Sequence, residues 1–136
     1  MSAVAIMREL LMAHAPLTAL VPAGRIFAGI APQGTALPSI SIAEVGHREL
    51  DTVARNGRCV TVRSRVQVTV SALSYAMQKN VIQAARLGPG VHRGVIAGFT
   101  VLAVQPDTVG PDLNDLDDDG IYEQSRDFMV TFVEAS

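Results

Sequence analysis

The sequence concentrates oxygen ligands in one place. In "DLNDLDDDG", Asp115, Asp117 and Asp119 recur at every second position and Gly120 follows. Calcium loops open with this spacing, because staggered carboxylates can surround a hard cation. Counted from Asp115, however, the twelfth position is Arg126 where such a loop needs a bidentate Glu. Pro106, Gly110 and Pro111 precede the segment and a strand-like alternation follows it, so no helix pair flanks it. The expectation is a hydrated acidic turn or an electrostatic contact, with no bound metal and no cofactor. Asp115, Asp117 and Asp119 are the residues that would hold a cation in the alternative of a small calcium-dependent binding module.

Other chemistries are sparser. The glycine-rich stretch "GRIFAGIAPQGTALPSISI" contains neither GxxxxGK[ST] nor GxGxxG, so nothing in it forms a phosphate cradle. Nucleophilic catalysis would need Cys59 or a serine beside a histidine. His14, His47 and His92 fall on a helix, in a polar loop and near a strand start, without a nucleophile motif around them. The reading is therefore non-enzymatic. The single cysteine excludes an internal disulfide and a multi-cysteine metal site.

Charge suggests recognition instead. Arg63 and Arg65 project from one face of a long alternating segment, and Asp115, Asp117, Asp118 and Asp119 form the acidic loop. The basic face of one subunit meeting the acidic loop of the next would make a ring. The net charge of −2 argues against general nucleic-acid binding.

These residues must be held by something. A chain of 136 residues suits one domain, 1–136, burying about two-thirds of its unfolded surface. With 49% hydrophobic and 18% charged residues and a mean hydropathy of +0.29, it is apolar for its size. Part of that surplus is expected in subunit contacts. The apolar run "VIAGFTVLAV" has about half the length of a membrane-spanning helix, so no membrane span is expected. The first residues show Arg8 and Glu9 inside their apolar run, which is unlike a secretory signal.

Helical spacing of Val4, Met7 and Leu11 predicts an amphipathic helix over 3–15, with a helical turn in "PLTALV". "GRIFAG" and "LPSISIAEV" follow as short strands, with Pro38 at the second strand's start. "GHRELDTVARNG" reads as an exposed connection. From Arg58 to Val70 the period is two: Val60, Val62, Val66, Val68 and Val70 share the core face. A second helix runs through "SALSYAMQKNVIQAARLGPG", with Leu73, Met77, Val81 and Ala84 as its apolar stripe. "GVIAGFTVLAVQPD" and "IYEQSRDFMVTFVEA" complete the sheet. The fold class is α+β, with a mainly antiparallel sheet of four to five strands and two main helices on one face.

The blocks "LLMAHAPLTALVPAGRIFAGIAPQGTALPSISI", "RVQVTVSALS" and "SRDFMVTFVEA" together resemble the tail completion, or tail terminator, proteins of long-tailed bacteriophages. Leu20, Val21, Arg25, Ile26, Ala31, Pro32, Gln33, Gly34, Leu37, Pro38 and Ile40 carry the resemblance in the first block. Val66, Val68, Ser71, Ser74, Ser125, Phe128 and Val130 carry it in the others. The acidic loop lies outside the shared pattern.

The resemblance implies a structural virion protein that forms a ring, typically a hexamer, on the head-proximal end of the tail tube. Such a ring ends tube growth and offers a docking surface to the head connector. Its partners would be further copies of itself, the tube protein and the connector protein. Genome DNA would cross the lumen without sequence-specific binding, and assembly would take place in the host cytoplasm. A head-completion adaptor is the alternative in the same setting. Arg25 and Gln33 are expected where the first strand pair meets the rest of the subunit or its neighbour.

Overall fold

The valine alternation becomes the centre of a sheet. The computed structural model describes residues 2–29, 38–50, 59–86, 94–110, 113–115 and 121–135. Its helices are α1 (Ser2–Ala13), the short α2 (Ala15–Thr18) and α3 (Tyr75–Ala84). Its strands are β1 (Ile26–Ala28), β2 (Ser39–Leu50), β3 (Cys59–Ala72), β4 (Gly94–Ile96), β5 (Phe99–Val109), β6 (Leu113–Asp115) and β7 (Ile121–Ala135).

The strand order is β1-β2-β3-β7-β5-β4, with β6 pairing β7 beyond the end of β5. Only β1 and β2 run parallel; every other pairing is antiparallel. The domain is α+β, with six strands on the main path curled into a half-barrel. Seven strands among the described residues replace the expected four to five, for two local reasons.

First, "GVIAGFTVLAVQPD" is a hairpin and not one strand. Ala97 and Gly98 both take positive φ, 53° and 82°, which turns the chain between β4 and β5 in the sense that matches strand twist. Second, Leu113–Asp115 pairs with Glu123, Tyr122 and Ile121, so part of the acidic segment is strand. The short strand expected in "GRIFAG" is β1, held parallel beside Ile40–Ile42. In addition, β2 runs on to Leu50: Gly46 to Leu50 pair with Arg65 to Thr61 after a bulge at Glu44/Gly46. Gly46 to Leu50 of the expected connection are thus ladder, and the remainder lies outside the described residues.

On β3, Val60, Val62, Val66, Val68 and Val70 are buried as the alternation required, and Ser64 is buried with them. Gln124, Phe128, Val130 and Phe132 form the matching row on β7. The apolar residues of these rows join Ile6, Met7 and Leu11 of α1 and Val81 and Ile82 of α3 in one core cluster. Both main helices therefore cover the same face of the sheet. Helix α3 starts where Ser74 accepts the Met77 N–H at 3.1 Å, an N-cap. Leu73 precedes that cap and is exposed, while Gln78 takes the buried position of the stripe. The expected stripe differs because the helix begins only after Ser74, which leaves Leu73 outside it.

Candidate partner-contact surface

No described helix sits on the opposite face of the sheet, and there the odd-numbered residues of β3 meet those of β7. Thr69 Oγ1 lies 3.0 Å from Ser125 Oγ, and Ser71 donates to Glu123 Oε1 at 3.5 Å. Further along, Arg65 Nη2 meets Asp107 Oδ2 at 2.6 Å, and its Nη1 donates to Asp127 Oδ2 at 3.5 Å. The register explains the cluster: Arg65 neighbours Met129, whose flanking residue Asp127 lies on the same face, and β5 delivers Asp107 from the far side of β7.

Arg63 is exposed two residues away, opposite Arg48 of β2. Directly opposed residues of an antiparallel pair share a face, so two like charges stand side by side, an arrangement that costs stability. Sequence reasoning singled out Arg63 and missed Arg48. That residue lies in the polar segment read as a connection, and its pairing depends on a bulge that shifts the register by one.

Arg25 closes a 3-10 turn, Ala23–Arg25, its N–H donated to Pro22 O at 2.8 Å, and it is half-buried. Next to it, Arg8 of α1 donates from Nε to Ile26 O at 3.1 Å, tying the first helix to β1. Asp115 is the last residue of β6, and Gln33, Asp117, Asp118 and Asp119 lie outside the described residues. The structure thus brings Arg63 and Arg65 onto one face, as the alternation required, and places Arg25 elsewhere, at the foot of β1.

One constellation has the residue types of a hydrolase. His47 Nδ1 is 3.3 Å from Ser64 Oγ and 3.4 Å from Glu44 Oε1. A catalytic triad needs the two ring nitrogens to serve different partners, one the nucleophile and the other the carboxylate. Here a single nitrogen faces both, and Ser64 is fully buried. The contacts satisfy a buried hydroxyl and move no proton to a substrate. Among the described residues no group of three or more His, Cys, Asp or Glu is placed to hold a metal ion. No described helix is long and apolar enough to cross a membrane.

A surface of paired charges, hydroxyls and half-buried side chains, without a nucleophile or metal cluster, is suited to contact with other proteins. The family model described as "Tail completion protein gp17" matches residues 5–87, well over half of the chain. The chain belongs to the tail completion protein gp17 family. It is a structural protein of a phage-type tail and not an enzyme. The match spans α1 through α3 and includes Arg25, Arg63 and Arg65, whereas Asp115 to Asp119 fall beyond it.

Solved structures match as well. One is a chain from the "Virion of native gene transfer agent (GTA) particle", with a TM-score of 0.73 and 14% identity over 96% of this chain and 94% of that one. At that identity the likeness is one of fold, and it extends through β4 to β7, beyond the reach of the family match. No curated protein matches.

Proposed function

We propose that this tail completion protein forms a closed ring of six copies on the head-proximal end of the tail tube. There it ends tube polymerisation and presents a docking surface to the head connector. Residues 1–136 act as one ring subunit. The observation that carries this reading is the uncovered sheet face. Both main helices sit on the other side, leaving charges of both signs and half-buried apolar side chains such as Met129 and Val133 without a helix over them among the described residues.

Head-to-tail contacts that close after a fixed rotation need two different complementary patches on one chain. Arg63 and Arg65 contribute to one patch and Asp115, Asp117, Asp118 and Asp119 to the other. Arg25 and Gln33 brace the contact from the first strand pair. Within the subunit Arg65 is already held by Asp107 and Asp127, so it acts as a fixed post, and Arg63 with Arg48, opposed as like charges, supplies the charge for the contact. DNA crosses the lumen without sequence-specific contacts, since a strongly basic wall would retain it. Assembly takes place in the host cytoplasm, and the ring ends in the neck of the virion.

Electron microscopy of the purified full chain, alone and mixed with tail tubes, tests this. Six-fold rings that cap one end of the tubes are expected. A chain that stays monomeric and leaves tubes uncapped overturns the reading. Reversing Arg63 and Arg65 to Glu should abolish rings while leaving the fold intact.

A further inference from the structure

Helix α3 packs on β3 and β7 with a polar side chain inward. Gln78 is fully buried, and neither its Nε2 nor its Oε1 has a hydrogen-bond partner among the described residues. A buried amide without partners is rare, because folding has taken its water away and returned nothing. One position earlier, Met77 is only half-buried at the margin of the core, and Leu73 before the cap is exposed. The helix thus holds an amide inside while an apolar thioether side chain stays partly in water.

Two rows on this helix compete for the sheet. The observed row is Gln78, Val81, Ile82 and Ala85, all of them buried. The second row is Met77, Val81 and Ala84; it shares Val81 with the first, and its other two members already lie against the core cluster. Successive helical residues are about 100° apart, so a roll of about 50° exchanges Gln78 for Met77 and keeps Val81 and Ala85 in the interface. Ile82 moves to the flank in that exchange.

The flanks of α3 are unequal. Toward β7, Lys79 Nζ donates to Gln124 Oε1 at 3.0 Å and lies 5.0 Å from the centre of the Tyr75 ring. That ring meets Tyr122 of β7 edge-on, with centroids 6.2 Å apart. Tyr75 and Lys79 stand at i, i+4 spacing, so one stripe of the helix makes all of these contacts. On the other flank, Asn80, Gln83 and Ala84 border an open cleft of about 690 Å³ whose far wall carries Pro16 and Leu20. The helix is latched on one side and has room on the other.

We propose that α3 is a two-position helix. In the seated position Gln78 faces the sheet and the stripe of Tyr75 and Lys79 is latched to β7. In the rolled position Met77 takes the place of Gln78, the amide moves to the margin of the interface toward water, and the latch opens. The unpartnered amide raises the energy of the seated position, which makes the rolled one a populated minor state. A partner that takes Tyr75 or Lys79 from β7 shifts the helix toward that state, so contact at this end of the sheet is coupled to the packing of its covered face. The device works within one subunit and lies on the face opposite Arg63 and Arg65, apart from the proposed ring contact.

Methyl relaxation dispersion on the full chain, at a concentration where it is monomeric, tests this by detecting minor states that exchange in microseconds to milliseconds. Met77 and Val81 should report one common exchange process, and Val66 and Val130 in the middle of the sheet should report none. Gln78→Leu gives the seated position an apolar side chain; it should raise Tm by about 5 °C and reduce the exchange at Met77 about fivefold or more. Lys79→Ala opens the latch and should increase that exchange about twofold or more. Met77→Lys bars the rolled position with a charge and should abolish the exchange at Val81. Flat profiles at Met77 and Val81 in the native chain overturn the proposal, as does exchange shared equally by Val66 and Val130, which reports opening of the whole domain. Exchange at Val81 that persists unchanged in Met77→Lys overturns it too, whether or not Gln78→Leu folds.

Discussion

Arg65 and Arg126 stand on opposite faces of one sheet, on neighbouring strands, and it is the more exposed one that is neutralised. Arg65 reaches two carboxylates, Asp107 and Asp127, on the open face. Arg126 lies on the helix-covered face, and its two shielded nitrogens have no acceptor among the described residues. Exposed ion pairs contribute little, because water competes for both partners. An unpaired charge that is partly desolvated costs far more. The open face therefore tolerates rearrangement when a partner arrives, whereas the covered face keeps an unpaired cation that only a group from outside the described fold can offset.

The contrast between faces is tested most strongly with adjacent residues of β7. Phe128 is 1% exposed, in the core row, while Met129 points to the open face and is half-buried. Phe128→Ala should cost about 3–5 kcal/mol, transfer and cavity together. Met129→Ala should cost about 1 kcal/mol or less in the isolated subunit. Urea unfolding of both variants checks this at protein concentrations where the chain is monomeric. If Met129→Ala costs as much as Phe128→Ala only at concentrations where rings form, the open face is covered by a neighbouring copy.

A smaller effect separates the strand end from the helix start. Ser74→Ala should lose about 1 kcal/mol with the N-cap, and Leu73→Asn, at a side chain 66% exposed, should change stability by about 0.5 kcal/mol or less. Equal losses at both positions would mean that Leu73 is packed in solution, so that the covered face extends past α3.

These contrasts also show which parts of the fold were legible beforehand. The valine row of β3 and the Phe128-Val130-Phe132 row of β7 could be read because burial on one face imposes a period of two. His47, Arg48 and Glu49 are equally part of a strand, but all three are exposed and only pairing with β3 holds them there. Without a buried face there was no period to find. The β4-β5 turn was hidden for another reason: its first positive-φ position is Ala97, where Asn or Gly would have announced a turn.

Of the candidate site, the common face of Arg63 and Arg65 followed from parity alone. The carboxylates around Arg65 come from β5 and β7, and their approach depends on strand order. In the sequence Arg126 stands out only as the residue that spoils a calcium loop, and its position on the helix-covered face follows only from the strand pairing.

Ala97 itself gives the next test. An alanine at φ 53° is strained relative to glycine, so Ala97→Gly should stabilise by roughly 0.5 kcal/mol once glycine's greater unfolded-state freedom is subtracted. A shift of Tm in the opposite direction would mean that the methyl group, which packs against the core cluster, outweighs the backbone strain.

The smallest effect returns to Arg65. Its side chain is 45% exposed, against 30% for Asp107 and 17% for Asp127, so solvent screens the two pairs to different degrees. Arg65→Ala should cost only about 0.2–1 kcal/mol in the isolated subunit. The loss should shrink as salt rises past about 0.1 M, where the Debye length falls to about 10 Å. Asp127→Asn should cost less again, because Asp107 at 2.6 Å keeps the guanidinium in place. Ring formation offers the sharper reading of the same variants. Arg65→Ala frees Asp107 and Asp127 and turns a neutralised post into an acidic spot on the contact face. An acidic loop approaching from the next copy would then be repelled, so ring yield should fall well beyond what the loss in subunit stability accounts for. If yield follows stability alone, Arg65 serves only its own sheet, and the intersubunit charge contact rests on Arg63 and Arg48.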